Sequence, residues 1–265
     1  MAWTSFKRVS AALVVSFPVA ILGAAGAQAA LITEWTYQID SAFTAFSPAG
    51  VTGSNPNANL GNAPTTLQWG TGGNGPSSLV VDATVTDPPT LSTGGGPVAG
   101  ASITHNNNPI GGETLTSATL STQLVLTAAN DPTITQQLDS VFQIDFTETG
   151  NVGNCGFESV SSCDDIFVLL NPEVLVENFV VDDFIYTITL GAQGLGPLSD
   201  ATCAAAGQPS GCVGFTTQEG QANNLQTLFS ISAEQVRIPE PASLALLGFG
   251  LLGMGAVVRR RRPTA

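Results

Sequence analysis

The chain has 265 residues with seven Lys plus Arg, twenty Asp plus Glu and a single His, a formal net charge of −13. Nineteen of the acids lie between positions 31 and 238 against one basic residue, Arg237. Binding to a phosphate backbone releases counterions through Lys and Arg, so a nucleic-acid partner is excluded, and few groups remain to hold an anionic substrate.

At the N-terminus Lys7 and Arg8 precede an apolar stretch at 11–25, and Ala27, Gln28 and Ala29 supply a small-x-small pattern. This reads as a signal peptide over residues 1–29, cleaved before Ala30 and addressed to Sec-type export across the inner membrane. The segment 30–237 is then the exported ectodomain, and its texture is that of short strands and turns: low charge, many Thr, Ser, Val and Ile residues, abundant Gly, Pro and Asn.

Residues 32–39 place Trp35, Tyr37 and Ile39 on one face of a strand and Glu34 and Gln38 on the other. Between positions 50 and 112 fall thirteen glycines and seven prolines, which predict long loops around strands, tied to the core by Leu67, Trp69, Leu79, Val80 and Val81. Further strands are expected at 79–85, 118–127, 141–147, 166–170, 179–190 and 225–231; in 141–147, Phe142, Ile144 and Phe146 alternate with Gln143 and Asp145. Seven or more such strands give an all-β fold, a β-sandwich or jelly-roll-like ectodomain.

Cys155, Cys163, Cys203 and Cys212 form two local pairs. Three connectivities are formally allowed, and the short loops, rich in Gly, Ser and Ala, favour local disulfides in an oxidising compartment. A zinc site is disfavoured because no Cys-x-x-Cys pair exists. The densest acidic pairs, Asp164 with Asp165 and Asp182 with Asp183, are candidates for Ca²⁺, although neither has the spacing of an EF-hand loop. No metal or cofactor is assigned.

The C-terminus carries Pro239, Glu240 and Pro241, an apolar run interrupted by Gly248, Gly250, Gly253 and Gly255, and then Arg259, Arg260, Arg261 and Arg262. Residues 242–258 would make roughly 25 Å of helix, slightly short for a bilayer, with the arginines stopping transfer on the cytoplasmic side. The combination resembles the PEP-CTERM sorting signal of Gram-negative bacteria, here residues 238–265. The resemblance implies a membrane-tethered precursor whose tail is recognised at Pro-Glu-Pro and removed by an exosortase, leaving the protein in the envelope or outside the cell.

The one histidine lies in a polar cluster flanked by Ile103 and Ile110, with Pro109 fixing the backbone, and reads as a turn whose Asn and Thr side chains bond their own main chain. Thr104, His105 and Asn107 also resemble the Thr-His-x-Asn signature of the THxN family of PEP-CTERM proteins. The flanking text agrees: residues 67–71, 146–149, 163–167 and 212–215. That family carries no established activity. A Ser-His-Asp hydrolase would have to use His105, without a Gly-x-Ser-x-Gly elbow; metal hydrolysis would need several histidines; and nineteen acids make a glycosidase pair uninformative. The leading expectation is therefore a non-enzymatic surface or matrix protein in extracellular polysaccharide. The alternatives are a glycan-binding module that stacks sugars on Trp35, Trp69 or Tyr37 with Ca²⁺ on its carboxylates, and a polysaccharide hydrolase.

Overall fold

Runs in which every second residue is apolar bury one face and leave the other wet, and two such sheets satisfy each other by packing face to face. The computed structural model describes residues 30–86, 90–151 and 153–236 together with positions 248, 250 and 251. Its first strands are β1 (Glu34–Ser47), β2 (Thr52–Asn57), β3 (Ala63–Trp69), β4 (Ser77–Val81) and β5 (Thr84–Thr86). There follow β6 (Leu91–Ser92), β7 (Val98–Asn107), β8 (Ser117–Ala128), β9 (Thr135–Thr147) and β10 (Asp165–Leu169). The last are β11 (Val176–Val181), β12 (Phe184–Ala192), β13 (Gly196–Pro197), a short helix α1 (Asp200–Ala205), β14 (Val213–Thr217) and β15 (Gln221–Gln235).

One sheet runs β13-β14-β10-β9-β8-β1-β5, with β6 also paired to β1, and the other runs β11-β12-β15-β7-β4-β3-β2. Strand pairing within both sheets is antiparallel, and together they form the sandwich that alternation predicts. In β8, Ala118, Leu120, Leu124, Leu126 and Ala128 are buried while the Ser, Thr and Gln residues between them are half-buried. Trp35 of β1 crosses the inter-sheet space: fully buried, it meets Phe179 and Tyr186 edge-on at 5.7 and 5.2 Å between ring centres. Its Nε1 donates to Thr93 Oγ1 at 3.1 Å, and Tyr37 packs on Phe229 while donating to the Ala99 carbonyl at 3.0 Å.

The structure corrects four expectations. Residues 50–112 hold six strands, β2 to β7, rather than mainly loops. Polar side chains bridge neighbouring strands there: Asn106 Nδ2 donates to Ser78 Oγ and Asn224 Nδ2 to Thr104 Oγ1, while Pro56 sits in edge strand β2, where its missing N–H breaks no ladder. The Thr-His-x-Asn segment is accordingly part of β7 and not a turn. Residues 79–85 are split, because the chain leaves one sheet after β4 and enters the other at β5. Residues 179–190 are split by Asp182 and Asp183, the two-residue connection of the β11–β12 hairpin, with Asp182 at φ 51°. That pair is a turn, which removes the reason to read it as a cation site.

Both disulfides close locally, Cys155 with Cys163 and Cys203 with Cys212, with Cα atoms 5.4 and 5.8 Å apart. Loops of this length restrict the unfolded chain by roughly 2–3 kcal/mol each. Residues 1–29, Pro239, Glu240, Pro241 and the four terminal arginines lie outside the described residues. Among the described residues no helix is long and apolar enough to cross a membrane.

Candidate functional site

The inward face of each sheet is apolar along most of its length and becomes polar at one end. In β7 the period-two alternation that buries Ala101 also buries His105 and Asn107, and Ile103 lies on the same face. In β9 the series Ile144, Phe146 runs on past the strand to Glu148. In β14, Phe215 and Thr217 are followed by Glu219 in the turn before β15. The register that sets Ile166 opposite Thr147 and Asp165 opposite Thr217 carries all these positions to one place.

There, ligand-type oxygens of Glu148, Asp165 and Glu219 all lie within 4.8 Å of one another. Asp165 is fully buried and burial first, then the neighbouring Glu148 charge, pushes its carboxyl up to about 8. Glu148 is pushed up to about 7 by burial, against a hydrogen bond that Trp69 Nε1 donates to its Oε2 at 3.2 Å. Burial also raises Glu219, and the Asn107 and Asn151 amides beside it oppose that rise without reaching hydrogen-bond geometry with its oxygens.

His105 forms the inner wall. Its ring stacks on Trp69 at 5.5 Å and meets Phe146 and Phe167 edge-on at 5.4 and 5.2 Å. Nδ1 shares a 2.9 Å hydrogen bond with Thr217 Oγ1, and burial pulls the imidazole down to about 3, so it is neutral. Asn107 donates to the Thr217 carbonyl at 3.3 Å, whereas Thr104 lies on the opposite face, where Asn224 reaches it. The motif is thus divided: His105 and Asn107 face the carboxylates and Thr104 does not.

Asp164 and Asp165 do not act as a pair. Asp164 accepts from the Ser161 hydroxyl and from the Val160 and Ser161 amides at 3.1 and 2.9 Å, and so closes its own loop next to Cys163 of the Cys155–Cys163 crosslink. Those donors hold its carboxyl below the usual range although burial works the other way. Asp165 has one amide donor, Thr149, at 2.8 Å on Oδ1. Glu148, Asn151 and Glu219 were not singled out by the sequence; the signal that could have found two of them is the alternation carried past the ends of β9 and β14, to Glu148 and Glu219.

The three aromatic residues considered for sugar stacking are core: Trp35, Trp69 and Tyr37 are 0, 2 and 8 % exposed. A separate cavity of about 110 Å³ lies between the sheets, bordered by Ile39, Leu120, Phe142, Leu190 and Phe229. None of the three clustered carboxylates lines it.

Comparison with known proteins locates one family. Residues 237–262 match the family model described as the PEP-CTERM protein-sorting motif. The motif marks exported proteins that are sorted to the cell surface and processed by an exosortase, and the two disulfides fit an extracytoplasmic location. No curated protein matches the chain.

Proposed function

We propose that this chain is a surface or extracellular-matrix protein without catalytic activity, a PEP-CTERM protein of the THxN kind. In this reading it is exported by a Sec-type signal, tethered to the inner membrane by its tail, and cut by an exosortase into the envelope or the surrounding polysaccharide. The observation that carries it is the match of residues 237–262 to the sorting motif. The text around Thr104, His105 and Asn107 supports the THxN assignment, as does the convergence of His105 and Asn107 with segments 146–149 and 163–167. The absence of catalysis is supported by a histidine that is buried, neutral and committed through Nδ1, and so poorly placed to take a proton from a substrate. It is also supported by the separation of the clustered carboxylates from the cavity.

The test is the Glu240→Ala variant expressed in the producing organism. Full-length precursor is expected to accumulate in the membrane fraction, while the wild type yields a shortened product in the envelope or medium. Normal processing of the variant would count against exosortase handling.

A further inference from the structure

The described residues contain no Lys or Arg, so every buried carboxylate must be compensated by hydrogen bonds, by protonation or by a bound cation. The fold compensates Asp40 and Asp164 with donors. Asp40, 1 % exposed, accepts from Gln38 Nε2 and Asn59 Nδ2 at 2.6 and 2.8 Å and from Thr84 Oγ1. It gives no comparable set to Glu148, Asp165 and Glu219.

Among the described residues, the buried side-chain atoms without a partner are Asn107 Oδ1, Glu148 Oε1, Asn151 Oδ1, Asp165 Oδ2, both Glu219 carboxylate oxygens and His105 Nε2. All belong to this one junction. Asn107 is decisive, because it is no part of the acidic cluster: its side chain is fully buried, its Nδ2 is used on Thr217, its amide lies beside Glu219, and its Oδ1 is unpaired. A buried amide oxygen is ordinarily paired, so unpaired amide oxygens at the same junction as three carboxylates whose oxygens lie within 4.8 Å of one another imply a shared partner that accepts electron pairs.

We infer that the junction of β7, β9, β10 and the β14–β15 turn is a Ca²⁺ site whose ligands are Asn107 Oδ1, Glu148, Asp165, Glu219 and Asn151 Oδ1. The donor set is entirely oxygen and three of its groups are carboxylates, which selects a hard cation over zinc or copper. Both Glu219 oxygens are free, so it can bind bidentately, and six oxygens from the five residues reach the lower limit of Ca²⁺ coordination. Mg²⁺ requires near-octahedral geometry with retained waters and fits a crowded protein cage less well. Bound there, the ion joins the end of β9 and the start of β10 in one sheet to β7 in the other and to the turn that passes between the sheets from β14 to β15. It serves as a clasp at the polar end of the sandwich. The inference concerns the ectodomain alone and stands whether or not the tail is processed.

The experiment uses the full-length chain purified in detergent, stripped with EGTA, and followed by thermal melting and by calorimetric titration with CaCl₂. One Ca²⁺ is expected per chain, with a melting temperature about 5–10 °C higher at a hundredfold excess over Kd. Glu219→Gln, in a turn, is expected to weaken binding at least tenfold. Asp165→Asn is expected to melt in EGTA no lower than the wild type and to lose the Ca²⁺ response, which a purely structural role for that carboxylate does not predict. The inference is overturned if folded wild-type protein shows no heat and no shift at 10 mM Ca²⁺, or if both variants respond as the wild type does.

Discussion

Trp35→Ala is expected to destabilise the ectodomain by about 3–5 kcal/mol, the range for deleting a large aromatic from a well-packed core. Trp35 is fully buried, lies on β1 of one sheet, and stacks edge-on against Phe179 and Tyr186 of the other. Removing it leaves a cavity between the sheets and strands Thr93 Oγ1, the acceptor of its indole N–H. Tyr186 in turn accepts from the Ile32 amide at 2.8 Å, so the entry of the chain into β1 loosens with it. Reversible urea unfolding would read the loss. A change below about 1 kcal/mol would mean that this face of β1 is not the core. The same burial is why these rings do not serve as a sugar platform.

In a chelating buffer, the melting temperature is expected to fall by about 5 °C as pH rises from about 6.5 to 8. Burial first, and mutual repulsion second, raise Asp165 to about 8; burial raises Glu148 to about 7. An acid whose folded pKa is raised contributes stability that is fully present below its ordinary value and is lost as pH climbs through the folded one. Glu219, also raised, acts in the same direction. His105 has the opposite sign, since burial lowers it to about 3 and its contribution is lost as pH falls below the ordinary imidazole value. Asp40 and Asp164, both held low, titrate further into acid. Above about pH 6.5 only the clustered acids change charge, which is why the decline is sought there. With Ca²⁺ present the trend should reverse, because metal and protons compete for the same oxygens. A melting temperature in EGTA that is flat or rising over this window would contradict the electrostatics described for the junction.

Much of the sandwich was legible from alternation. The runs around Trp35, Leu124, Phe146 and Phe229 carry a period of two, the run around Phe167 is continuously apolar and buried on both faces, and each lies in a strand. What was hidden had physical causes. β2 is built from Thr, Gly, Ser, Asn and Pro, and β7 carries Gly, Ser, Thr and Asn among its apolar residues; their local chemistry favours turns, and here side-chain amides and hydroxyls bridge them to neighbouring strands. Asp182 and Asp183 looked like a ligand pair and are a hairpin connection. The candidate site was legible only in part. His105, Asn107 and Asp165 stood out as a motif or an acidic pair, but Glu148, Asn151 and Glu219 are ordinary polar residues in sequence, 41 to 112 positions from Asn107 within a 265-residue chain. Only the register between β9, β10 and β14 gathers them.

The C-terminal sorting motif gives the chain its address, and the disulfides and the acidic, cation-poor body suit the far side of the membrane. The most direct measurement is the intact mass and thiol content of the protein recovered from the outside of the producing cell. The expected product begins at Ala30, ends near Pro239, and has Cys155, Cys163, Cys203 and Cys212 all oxidised. Recovery of the uncut 265-residue polypeptide from the cytosol, with four free thiols, would contradict it.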